Sequence, residues 1–413
     1  MKNLILVFAL LSSLFVSAQE KKKIVQRIPT DTSASKFNLD AVYNRPFLQF
    51  GKIPVALGGY AEMHGEYFGT DGISSGFHFK IPRLTLFISS TIHKRIKFLT
   101  EIEFESGTKG INIEFASIDL ELHPLAVFRA GILMNPIGSF NQNHDSPKWD
   151  FITRPISATQ MLPATFSNVG AGFYGKAFKG KWTLAYEVYL TNGFNDNIIS
   201  NSKNKTFLPA TKSNIHRFEQ SSNGIPLLTA KVAIKHRQIG ELGLSYMGGV
   251  YNTFRKAGII LDKKRRVDAM AIDYSVMLPK IKTQVNAEWA MIWLNIPATY
   301  TEQFGSQQQG GYIDIVQPVY TLKMKKRKHP SDFVNSVFSL GCRVEYVDWN
   351  VGKFRTTNGN IRDDIIAITP SITWRLGGQT VLRANYRYAW QHDLLGNPPS
   401  RTAGFQVGIA SYF

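Results

Sequence analysis

Arg401-Thr402-Ala403-Gly404-Phe405-Gln406-Val407-Gly408-Ile409-Ala410-Ser411-Tyr412-Phe413 closes the chain on an alternating pattern. Phe405, Val407, Ile409 and Phe413 fall on one face, with Gly404, Gln406, Gly408 and Ala410 on the other. That is the period of two of a strand with one apolar side. The pattern recurs upstream. Over about 56–68, Leu57, Ala61, Met63 and Tyr67 oppose Tyr60, Glu62, His64 and Glu66. Over about 79–90, Leu84, Leu86 and Ile88 oppose Arg83, Thr85 and Ser89, and over about 95–105 Phe98, Ile102 and Phe104 oppose Lys97, Glu101, Glu103 and Glu105. Further segments fall at about 111–122, 125–134, 168–178, 182–190, 227–236, 240–249, 267–278, 281–294, 312–322, 334–348, 363–375, 380–391 and 403–413. Pro318 weakens the segment at 312–322, because proline removes a ladder donor.

A soluble sandwich also alternates, so alternation alone does not decide the fold. Aromatic placement favours a membrane barrel: Trp182, Tyr186, Trp289, Trp293, Tyr386, Tyr388 and Trp390 lie on the apolar faces, many near strand ends, where interfacial girdles sit. After residue 18 no uncharged apolar run reaches the roughly 18 residues of a spanning helix. Short connections at Pro279-Lys280, Gly377-Gly378 and Lys179-Gly180-Lys181 alternate with long ones at about 135–167, 191–226, 251–266 and 295–311. The fold predicted is therefore all-β: a transmembrane antiparallel β-barrel of about 16 strands with short periplasmic turns and long external or inward loops. The closing strand, with its terminal Phe413, resembles the last strand of Gram-negative outer-membrane barrels.

Met1–Ala18 carries Lys2, an apolar run from Leu4 to Leu11, and Val16-Ser17-Ala18 before Gln19, the layout of a cleaved signal peptide. No cysteine lies near the cut, which argues against a lipoprotein. Residues 19–45 are polar with little periodicity and read as a periplasmic tail, leaving 46–413 as the barrel. The net charge of +18 points to the membrane surface or to anions, since an exported chain has little occasion to meet nucleic acid. Cys342 is the single cysteine, so no internal disulfide forms and a structural zinc site has nothing to build on. No cofactor is expected.

Phe128-Arg129-Ala130-Gly131-Ile132-Leu133-Met134-Asn135-Pro136-Ile137-Gly138, continuing through Ser139-Phe140 to Arg154-Pro155 and Asn168-Val169-Gly170, resembles the phosphate-selective porin O/P family. Gly311-Tyr312-Ile313 to Thr321-Leu322 and Ser336 to Tyr346 look like the later strands of that family. The resemblance implies a sixteen-stranded barrel in the outer membrane, usually a homotrimer amid lipid and lipopolysaccharide, with loops folded inward. It also implies that arginines of the inward loop set selectivity. Arg154 occupies the matching loop position, whereas Asn141, His144, Asp145 and Lys148 depart from the basic set of the family.

On these face assignments Arg83, Arg129, Lys231, Lys235, Arg343, Arg375, Arg383 and Arg387 point into the lumen. Arg383 and Arg387 form a ladder with Asn385. Cationic ladders favour anions, and the planar fork of arginine donates twice to phosphate. The alternative is that these cations pair with Glu62, Glu101, Glu103, Glu187, Glu288 and Glu345 and stiffen the barrel. The run Lys323-Met324-Lys325-Lys326-Arg327-Lys328-His329 reads as a solvated turn or a site for lipopolysaccharide phosphate.

Enzyme motifs fail on context. Gly72-Ile73-Ser74-Ser75-Gly76 matches a nucleophile elbow but leads into a strand, and Gly170-Ala171-Gly172-Phe173-Tyr174-Gly175 matches a dinucleotide fingerprint with no helix after it. His144-Asp145-Ser146 is too compressed in sequence for a triad. The functional expectation is a porin for passive diffusion of small anions, with phosphate or pyrophosphate as candidates; the rival is a non-conducting surface barrel whose loops bind a partner.

Overall fold

The computed structural model describes residues 25–28, 38–51, 53–107, 109–297, 305–323, 335–354 and 357–413. The expected signal peptide and most of the basic run at 323–329 lie outside the described residues. Sixteen long strands close into one antiparallel barrel. They are β1 (Val55–Thr70), β2 (Ile73–His93), β3 (Ile96–Glu105), β4 (Gly110–His123), β5 (Ala126–Met134), β6 (Ser167–Lys179), β7 (Trp182–Thr191) and β8 (Leu227–His236). The remainder are β9 (Gly240–Val250), β10 (Arg266–Met277), β11 (Gln284–Leu294), β12 (Gln307–Lys323), β13 (Asn335–Asp348), β14 (Asp364–Leu376), β15 (Thr380–Gln391) and β16 (Ser400–Tyr412). Each strand pairs with its sequence neighbours. The seam runs β16 to β1, from Thr402 opposite Thr70 to Tyr412 opposite Tyr60.

The alternation sets the two faces. Leu57, Met63, Tyr67, Phe405, Val407 and Ile409 are exposed on the outer wall, whereas Tyr60, Glu62, Gln406 and Ala410 are buried inside. Gly72-Ile73 belongs to the β1–β2 hairpin, and Gly170, Gly172 and Gly175 are strand positions of β6. These three glycines pack against neighbouring backbone: a Cβ on Gly172 would lie 2.0 Å from the Val188 carbonyl oxygen, and one on Gly175 2.3 Å from that of Leu125. Pro318 does not break its strand. The β12–β13 register shifts between Pro318 and Tyr320, so a local irregularity absorbs the missing donor.

Long connections at 135–166, 192–226, 251–265 and 349–363 all leave one end, and turns such as 180–181 and 377–379 leave the other. The first two long connections fold into the barrel. Ile137, Ile156, Met161, Leu162, Phe166, Phe194, Ile198 and Leu208 form one apolar cluster with inward residues of the wall. The wall contributes Ala269, Ala271, Ala290, Ala367 and Ala389, and these short side chains leave the space that the loops fill.

The other end is entered by residues 38–50, of which 38–45 were expected as part of a periplasmic tail. Leu39 packs with Ala185 and Ala233, Val42 with Phe115 and Met134, and Phe47 with Tyr60, Phe87 and Tyr412. Phe47–Phe50 forms a short strand whose Leu48 and Gln49 pair with Leu57 and Ala56 of β1.

Candidate functional site

The inward loop 135–166 is held from both ends of its path. Gly138 turns it with φ +65°, and its N–H donates to Ser245 Oγ at 2.9 Å. A Cβ at Gly138 would sit 2.6 Å from the Glu288 carboxylate, which accepts the N–H groups of Ser139 and Phe140 at 2.7 and 3.2 Å. Farther along, Ile152 N–H donates to Asn385 Oδ1 and Ile156 N–H to Glu345 Oε1, both at 2.7 Å.

Most of the cations expected in the lumen are occupied by this loop or by wall carboxylates. Arg383 donates to the carbonyl oxygens of Ser146, Trp149 and Phe151 at 3.1, 3.3 and 2.9 Å, and to Ser146 Oγ at 2.9 Å. Arg375 donates to the carbonyl oxygens of Pro147 and Lys148 and pairs with Asp150 at 3.0 Å. Arg343 forks onto Asp314 at 2.6 and 2.7 Å and donates to the Thr153 carbonyl oxygen at 2.7 Å. Lys231 bridges Asp273 at 2.6 Å and the Gly138 carbonyl oxygen at 2.7 Å. Arg129 forks onto Asp119 at 2.7 Å and lies 3.8 Å above the Tyr43 ring. Arg83 pairs with Glu62 at 2.9 Å and with Glu103 at 3.5 Å; Arg387 lies 3.7 Å from Glu345 and Lys235 3.8 Å from Glu241. Arg383 and Arg387 therefore form a ladder, as the alternation requires, but Arg383 is spent on loop backbone. Gly408 and Gly404 do stand opposite Arg383 and Arg387, yet the room beside them is taken by His64 and Phe68 of β1.

Arg154 differs. Among the described residues no carboxylate pairs with it; its guanidinium lies 5.7 Å over the Phe140 ring, and its Nη2 is buried without a protein acceptor. It lines a small cavity with Glu62, Arg83, Phe140, His144 and Thr153. Two cations of the next long connection stand near it. Lys212 donates at 2.8 Å to the Ala164 carbonyl oxygen and Thr165 Oγ1, and Arg217 donates to the Lys212 carbonyl oxygen, neither with a carboxylate partner among the described residues. Burial pushes the Lys212 ammonium below its ordinary value; Glu114 opposes that shift, and repulsion from Arg154 and Arg217 adds to it. Lys212 and Arg217 carried no sequence signal, since 191–226 has no periodicity from which a direction could be read.

Carboxylates face this group from the wall. Glu103, Glu105 and Glu114 place ligand atoms within 4.8 Å of one another. Glu114 reaches the lumen through a bulge: Glu101 pairs with Phe115 and Ile102 with Ile113, so Glu114 is the extra residue, and both Glu114 and Phe115 are buried. Buried hydroxyls at Tyr60, Thr85, Thr369 and Thr373 have no protein partner among the described residues, and such groups call for a polar guest, water or solute.

His144-Asp145 is an ion-pair centre rather than part of a triad. Asp145 accepts from Arg45 at 2.5 and 2.9 Å and from Tyr412 OH at 2.7 Å, and Lys148 lies at 3.0 Å. Burial alone would raise its pKa, but Arg45 and Lys148 outweigh that and hold the carboxyl well below the ordinary range. A depressed carboxylate adds stability above its unfolded pKa of about 3.9, and that stability is lost as pH falls below it. The seating of this loop is thus expected to persist at pH 5 and to loosen on further acidification. Proteolysis of 135–166 across a pH series checks this, and cleavage that does not rise below pH 4 would contradict it.

No protein-family model matches the chain. An anion-selective porin from Comamonas acidovorans superposes with a TM-score of 0.55 at 12% identity, covering 87% of this chain and 99% of that one. The fold is a porin fold. OprB of Pseudomonas putida superposes with a TM-score of 0.52 at 9% identity, over 86% of this chain and 94% of that one. An uncharacterized protein of Aquifex aeolicus (strain VF5) is 29% identical over 146 residues, spanning 34% of this chain and 32% of that protein. Within this porin fold, the lumen carries a loop-filled apolar half and a polar wall where Arg154, Lys212 and Arg217 approach.

Proposed function

We propose that the chain is an outer-membrane porin, exported by signal peptide 1–18, that admits small anions by passive diffusion. Residues 19–45 precede the barrel, and its working form is a homotrimer in outer-membrane lipid and lipopolysaccharide. The observation that carries the anion reading is the group Arg154, Lys212 and Arg217 at the inward loops, cations without a carboxylate ion-pair partner among the described residues. Such a group lowers the cost of bringing an anion out of bulk water. Phosphate and pyrophosphate are the candidate solutes, on the fork geometry of arginine and the O/P-like motifs around Asn135 to Arg154. The anion selectivity named for the Comamonas porin fits this reading.

Of the wider set, Arg83, Lys235, Arg375 and Arg387 are partly exposed but each is reached by a carboxylate, Arg154 has none within pairing distance among the described residues, and Arg129, Lys231, Arg343 and Arg383 are buried and hold the wall and loop. Lys235 stands beside Glu241 at the turn end. The apolar loop cluster at the long-loop end favours the rival reading, a closed barrel that binds a partner. Planar-bilayer reversal potentials in a salt gradient, with and without phosphate, separate the two. Anion-directed potentials and a phosphate-dependent fall in chloride current are expected; cation selectivity or silent barrels would overturn the porin reading.

A further inference from the structure

We infer that residues 38–50 are a strap seated across the turn end of the lumen, and that Arg45 latches the inward loop to it. The inference rests on the porin reading only where conductance is the readout. The strap touches wall from many strands. Asn38 N–H donates to both oxygens of Glu241 on β9 at 2.9 and 3.1 Å, and Asn38 Nδ2 donates to Ser275 Oγ on β10 at 3.1 Å. Asp40 pairs with Lys176 on β6. Tyr43 meets Phe115 on β4 edge-on at 5.9 Å and lies beneath the Arg129 guanidinium of β5. Phe47 packs against Tyr60 of β1, Phe87 of β2 and Tyr412 of β16.

Arg45 is the junction. Its side chain is closed off from solvent and lies 2.8 Å from Glu101 of β3, 2.5 Å from Asp145 of the inward loop, and 3.9 Å above the Phe87 ring. One guanidinium thus ties strap, wall and loop together. Lys148 of the loop adds a second tie, donating to the Ala41 carbonyl oxygen at 2.6 Å. When this guanidinium departs, Glu101 loses its 2.8 Å partner and Asp145 is left with Lys148 at 3.0 Å, so strap and loop should move together. The strap narrows the turn-end mouth, and its release widens the path and frees the loop.

The test uses the full chain with Cys342→Ser, Asp40→Cys and Lys176→Cys, joined by a short bifunctional thiol reagent. Efficient intramolecular cross-linking in folded barrels is expected; its absence overturns the seating. Single-channel conductance is then compared between the locked form, the unlocked form, Arg45→Ala, and a chain in which 38–44 is replaced by Gly-Ser of equal length. Heat-modifiable gel mobility identifies the folded barrels. Release is expected to raise conductance severalfold and to add current noise, with locked barrels the quietest. Equal non-zero conductance in all forms overturns the strap alone. Silence in every form overturns both the strap as a mouth and the porin reading, whereas a silent wild type that conducts once released supports the strap and overturns only the open resting pore.

Discussion

Asp314→Ala is expected to destabilise the folded barrel by about 3–5 kcal/mol, the range for leaving one charge of a buried pair without its partner. Asp314 and Arg343 are each about 1% exposed, and the fork between them is made at 2.6 and 2.7 Å. Arg343 also holds the Thr153 carbonyl oxygen and lies 4.4 Å over the Phe151 ring, so the freed guanidinium would disturb the loop as well as the wall. Replacing both partners, as Asp314→Leu with Arg343→Met, is expected to be close to neutral for the wall, since no charge is stranded. The loop would still lose one anchor at Thr153. Urea unfolding in lipid vesicles, followed by tryptophan fluorescence, measures the difference. A single mutant as stable as the double mutant would show that water reaches Arg343 freely.

Arg154→Glu combined with Lys212→Gln is expected to reverse or abolish anion preference without unfolding the barrel, since glutamine can still donate to the Ala164 carbonyl oxygen. A reversed charge about 4 Å from a permeating ion changes its energy by about 2 kcal/mol even in a water-like dielectric, roughly tenfold or more in permeability ratio. Salt screens part of this, so the shift should be largest at low ionic strength. Arg383→Glu is expected to behave differently. Arg383 donates to three loop carbonyl oxygens, all acceptors, and a carboxylate there would repel them. Poor folding yield or a noisy, loop-released channel should result rather than a clean reversal. If Arg383→Glu instead reverses selectivity in a stable channel while the Arg154 and Lys212 variant does not, the ladder sets selectivity and the loop cations do not.

The barrel was legible because two constraints act on every spanning strand: side chains alternate, and one face must be apolar. That is why Val407 and Ile409 could be placed outside and Gln406 inside, and why each strand expected from the sequence has a counterpart near the same place. Even Gly408 opposite Arg383 follows once β15 and β16 are neighbours. Loops carry no such constraint. Nothing local indicates that Lys212 and Arg217, in a segment without periodicity, approach Arg154, or that Arg45, in a polar stretch, enters the lumen to meet Glu101 and Asp145. Glu114 escaped the parity rule because a bulge adds one residue and turns its side chain inward.

Sequence by itself therefore determined the closed sheet, its outer and inner faces, and the presence of cations within. The tertiary structure alone decided what those cations do. An inward arginine is available to solute only if no loop carbonyl or carboxylate reaches it first. That depends on the path of 135–166 and 38–50 through the lumen, which long-range packing sets and alternation does not encode.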